Sequence, residues 1–154
     1  MSRRVDQRYP KDIDLDAYDN ILELTRHLLS VCKPKENKDN SNKHIPKRYV
    51  HIAKTIENLV LDIGADIIEA NCEYDVRKNV EVNQRARNYE SRINLWAHAR
   101  SLTFRLEHVI RVMHYTHQFA DSTLTYTMRF LVAVRDGLNG LVRKETEILH
   151  NLCL

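Results

Sequence analysis

Apolar residues recur at alternating steps of four and three in four separate segments of this chain. The first is Tyr18, Leu22, Thr25, Leu29 and Cys32. The second is Ile52, Ile56, Leu59 and Ile63, continued by Ile67. The third is Leu95, Ala99, Leu102, Leu106, Val109 and Met113, and the fourth is Leu124, Met128, Leu131, Val134, Leu138 and Leu141. This spacing tracks the 3.6-residue turn and lays side chains along one stripe of an α-helix. Four stripes predict four helices, each burying its stripe against the others. The fold class expected is therefore all-α, an up-down-up-down four-helix bundle.

Punctuation between the stripes sets the boundaries. Residues 1–11 read as a disordered basic lead-in, and 12–151 as a single bundle domain. Asp12, Asp14 and Asp16 sit where helix 1 should start, since carboxylates cap free N–H groups and suit the positive end of the helix dipole. Helix 1 is expected from about Asp14 to Cys32, ahead of Pro34. Residues 33–45 are polar, rich in Lys and Asn, and aperiodic, so they read as a loop. Pro46 suits the first turn of helix 2, which should reach about Cys72. Residues 73–117 contain no Gly or Pro. A single helix over all of them would span roughly 65 Å, too long for a bundle of this size. Val82, Ala86, Tyr89, Ile93 and Trp96 form one seam, and Leu95 onward forms another. Asn79, Asn83 and Asn88 dilute helix propensity there. Residues 73–88 are thus read as a connector with room for a partial helix. Helix 3 is expected from about Tyr89 to His117, and helix 4 from about Ser122 to Asn151.

Composition narrows the class. The chain has 154 residues, three Gly, three Pro and a net charge of +3. Segments 12–32 and 55–75 are net acidic, whereas 1–11, 33–54 and 76–117 are net basic. The asymmetry predicts one acidic and one basic surface. Cys32, Cys72 and Cys153 are odd in number and form no CxxC pair, so they read as reduced, structural thiols of a cytoplasmic protein. The N-terminus has no apolar stretch of the secretory kind, and no run is long enough to span a bilayer. Glu147-x-x-His150 is half of a di-metal carboxylate pattern, and the second half is missing. His114 and His117, three apart, also lack further ligands. Neither a metal nor another cofactor is expected.

The strongest chemistry is cationic. Arg92, Arg100 and Arg111 fall within roughly 100° of one another on a helical wheel, with Arg85, Arg87 and Arg105 nearby. A second cluster, Lys43, Lys47, Arg48 and Lys54, is interleaved with His44, Tyr49 and His51. Arg143 and Lys144 form a third near the chain's end. Guanidinium groups match phosphate oxygens in pairs, and aromatics among cations stack on unpaired bases. Two readings stay open: a nucleic-acid or acidic-partner surface, or solvated faces that pair with the acidic helices. Gly137 and Gly140, one turn apart inside helix 4, suggest close approach by a neighbouring helix, with a kink or an early helix end as the alternative.

Two resemblances sharpen these readings. Arg111-x5-His117 and Arg92-x5-His98 resemble the Arg/His element of the HEPN ribonucleases. That resemblance implies a dimer in which His serves as acid or base and Arg stabilises phosphoryl charge. More of the chain resembles the four-helix-bundle accessory proteins of diversity-generating retroelements. The likeness runs over residues 46–148. It is carried by the stretches from Ala53 to Val60, from Leu95 to Leu106 and from Arg135 to Lys144. It implies a non-catalytic homo-oligomer, typically a pentamer, that binds a reverse transcriptase and its template RNA or RNA/DNA hybrid and supports mutagenic cDNA synthesis. The basic residues above would then touch nucleic acid. A purely protein-binding bundle is the remaining alternative.

Overall fold

The computed structural model describes residues 15–33 and 45–154. The expected lead-in, most of the 33–45 loop, Lys43 and His44 lie outside the described residues. Helix α1 is Leu15–Val31, α2 is Val50–Glu73, α3 is Val82–Tyr115 and α4 is Asp121–Leu152. A 3-10 turn, Lys47–Tyr49, leads into α2 after Pro46. Each helix packs on the next, and α4 closes back on α1, while diagonal pairs make no close backbone contact. Side chains early in α3 meet late α2 and late α4, and those late in α3 meet early α4. Neighbours are therefore antiparallel, and the bundle is all-α and up-down-up-down.

The 73–88 connector is shorter than expected, because α3 begins at Val82. The Glu81 carboxylate accepts from the backbone N–H groups of Asn83 (2.9 Å) and Gln84 (3.0 Å) and so caps the helix. Asn88 Nδ2 donates to the Asp75 carbonyl at 2.7 Å and ties α3 to the connector. Asn88, which weakens the helix locally, is thus satisfied by a tertiary contact.

Of the first seam expected in α3 only Trp96 is buried, and Val82 is 48% exposed. Arg92, Trp96, Ala99, Thr103, Leu106, Ile110 and Met113 are all buried, in unbroken steps of four and three. In α4 the stripe runs Thr127, Leu131, Val134, Leu138, Leu141 and Glu145. On α1 the buried residues are Ala17, Ile21, Leu24 and Leu28, with Cys32 buried just beyond its end, whereas Leu22 is 48% and Leu29 38% exposed. Of the expected α1 stripe only Cys32 is buried. Two adjacent apolar strips exist on this helix, and the neighbours' positions decide which faces inward.

Ala17 also explains one glycine. A Cβ placed on Gly137 would lie 3.1 Å from the Ala17 Cβ, so α1 and α4 approach closely there. Nothing lies within 4 Å of a Cβ at Gly140, so no close approach requires that residue. The helix runs through both to Leu152.

Candidate nucleic-acid interface

Arg100, Phe104, Glu107 and Arg111 share the side of α3 that faces α4. Phe104 is 55% exposed. The Arg135 guanidinium, from α4, lies 4.0 Å from its ring centroid. Arg135 is held in place: Nε donates to Thr103 Oγ1 at 3.1 Å and Nη2 to Glu107 Oε1 at 2.8 Å. Glu107 also accepts from Arg111 Nε at 3.0 Å. The Arg135 hydrogen bond above all, with Arg111 adding, holds the Glu107 carboxyl below the usual carboxylate range. Arg100 Nη1 donates to Asn139 Oδ1 at 3.1 Å. This face presents an exposed aromatic ring framed by three guanidinium groups and one carboxylate. A base can stack on the ring while the arginines meet flanking phosphates.

The other sequence-derived cations do not gather here. Arg92 is a correction. It is only 1% exposed, because its place on the α3 stripe points it into the core. Its Nε donates to Glu145 Oε1 at 2.7 Å and its Nη1 to the Ala70 carbonyl at 3.1 Å. Trp96 Nε1 donates to the same carboxylate oxygen at 2.9 Å. The cluster joins α2, α3 and α4 and is out of reach of any polyanion. Lys47 and Arg48 are exposed on the 3-10 turn, with Arg48 over the Tyr49 ring. Lys54 pairs with Glu57 at 3.7 Å. Arg87 donates to Gln84 Oε1, Arg85 is half-buried, and Arg105, Arg143 and Lys144 are exposed. Phe104 and Arg135 escape the sequence reading. Phe104 reads as one apolar residue off the stripe, and Arg135 acquires its place only when α4 docks beside α3.

The α3–α4 turn forms a second feature. His117 N–H donates to the His114 carbonyl and Gln118 N–H to the Met113 carbonyl, the paired bonds that close a helix C-terminus. This turn needs a left-handed residue, usually Gly, and here His117 fills it at φ 62°. His114 Nε2 lies 2.7 Å from Asp121 Oδ1. Both histidines line an open cleft of ≈ 690 Å³ with Tyr115 and Asp121. His98, partner of Arg92 in the second Arg-x5-His match, is on the surface beside Asp66 at 2.6 Å. Arg92 and His98 therefore share no site. Cys32 is the one buried thiol among the three cysteines, pushed up to about 12 mainly by burial. Cys72 and Cys153 are exposed, which corrects their reading as structural thiols.

No protein family, curated protein or solved structure compared with this chain matches it. Among the described residues, no helix is long and apolar enough to cross a membrane.

Proposed function

We propose that this protein is a non-catalytic RNA-binding subunit that uses the α3–α4 face. In the role its resemblance implies, it serves a reverse transcriptase copying template RNA in a diversity-generating retroelement. The exposed Phe104 ring framed by Arg100, Arg111 and Arg135 carries the reading. The test is fluorescence anisotropy with a single-stranded RNA across a salt series. Each phosphate contact contributes about 0.7 to the slope of log affinity against log salt, so Arg100→Gln with Arg111→Gln should flatten it by up to about 1.4, and by less to the extent that Glu107 already pairs Arg111. Phe104→Ala should weaken binding by about 1–3 kcal/mol with little change in slope. An unchanged slope in the double variant rejects this face. The accessory role requires further that the reverse transcriptase's cDNA carry fewer substitutions when the double variant replaces the native chain.

A ribonuclease reading survives on one observation: His117 occupies a left-handed position that glycine would fill with less strain, beside His114 and Asp121. The same RNA, run on a gel after incubation, distinguishes the two. Cleavage that disappears in His117→Ala supports the ribonuclease, and intact RNA supports the binding subunit.

A further inference from the structure

A second exposed aromatic lies on the same side of α3 as Phe104. Tyr115, the last residue of α3, is 85% exposed. Phe104, Arg111 and Tyr115 follow one another at steps of seven and four, so they fall within about 40° of one another around the helix. Phe104 and Tyr115 are about 16 Å apart along its axis at 1.5 Å per residue. Arg111 stands between them, bonded to Glu107 through Nε and still 55% exposed.

An open tyrosine at a helix end is ordinary by itself. This one walls the ≈ 690 Å³ cleft of the α3–α4 turn, with His114, His117 and Asp121. A space of that size falls in the range of ligand sites. Among the described residues its lining holds two imidazoles and one carboxylate, and neither Lys nor Arg. These groups offer hydrogen bonds to the edge of a nucleobase, whereas the Asp121 carboxylate repels a phosphate. The left-handed position of His117 fits the same use. Glycine would relieve the backbone there but would leave the cleft without that imidazole.

We infer that Tyr115 and this cleft form a second base-binding point for the RNA strand whose first base stacks on Phe104. The inference rests on the RNA reading of the α3–α4 face. One base stacks on the Tyr115 ring with its edge toward His117 and Asp121, and the intervening phosphates pass Arg111. A stacked strand advances about 3.4 Å per nucleotide and an extended one roughly twice as far, so the two rings are about three to five steps apart. The ligand is therefore a single strand of about four to six nucleotides. A continuous duplex does not fit, because its bases cannot leave their stack to meet two separate rings.

Anisotropy with labelled oligoadenylates of three and six nucleotides tests the second point on the full-length chain. The hexamer should bind more tightly than the trimer, because it reaches both rings and its second stack forms within the complex. Tyr115→Ala should weaken the hexamer by roughly fivefold or more, the loss of one base stack, and the trimer by about twofold at most. Tyr115→Phe keeps the ring and should bind both oligomers like the native chain. The exposure of Tyr115 leaves the fold intact in either variant, which helical circular dichroism checks. Hexamer binding that falls with Phe104→Ala but not with Tyr115→Ala overturns the second point and leaves the RNA reading standing. Equal losses for trimer and hexamer in Tyr115→Ala also overturn it, since no strand then bridges the rings. Binding of both oligomers that ignores Phe104→Ala overturns the RNA reading and this inference together.

Discussion

Arg92 and Glu145 hold positions where the stripes of α3 and α4 would otherwise carry apolar side chains. Both are nearly inaccessible, and each is satisfied by several hydrogen bonds. Removing one partner leaves a buried, uncompensated charge, so Glu145→Ala should cost about 3–5 kcal/mol in urea unfolding. Arg92→Met with Glu145→Leu should cost clearly less, because no charge is stranded. His27 supplies the pH dependence. Among the described residues its buried Nε2 has no hydrogen-bond partner, and its pKa is lowered, first by burial and then by Arg26. The folded state thus prefers neutral His27, while the unfolded chain takes up a proton near the ordinary value of 6.5. The stabilisation is fully present above that value. It is lost as pH falls through it toward the lower folded value. Melting temperature should therefore drop between about pH 7.5 and about pH 5.5, and less steeply in His27→Gln.

At the scale of elements, three helices match the reading from spacing to within a few residues, and α3 does not. Its first turn depends on Glu81, whose carboxylate ties down two N–H groups. Glu81→Ala should cost about 1 kcal/mol. It should also speed amide exchange selectively in the first turns of α3, with the rest of the bundle unchanged. A Glu placed just before a run rich in Asn and Arg is a weak cap signal, so propensity alone put the start seven residues late. The stripe of α3 was hidden for a related reason. Arg92 and Thr103 are core members that no hydrophobic count includes, so the periodicity looked broken where it continues.

For the whole molecule, docking turns charge along the chain into charge in space. The net-basic segments do not form a single basic surface, since Arg92 is internal and Lys54 is paired with Glu57. What the fold assembles instead is a compact α3–α4 patch. Within it Glu107 neutralises part of the charge of Arg111 and Arg135. That carboxylate limits the expected salt slope, whereas Arg100 bonds the neutral Asn139. The RNA-binding proposal thus comes from a relation between two helices and not from either one alone.

The four helices, their order and most of their limits follow from sequence alone, because a 4–3 spacing and a cap act within a few residues. The all-α class and the buried Ile56, Ile63, Leu106, Leu131 and Leu138 were legible on the same ground. Only the tertiary structure decided which of two apolar strips on α1 turns inward, that Arg92 is a core residue, and that Arg135 stacks on Phe104. Those outcomes depend on where a neighbouring helix sits, and burial and pairing between distant residues leave no local trace in the chain.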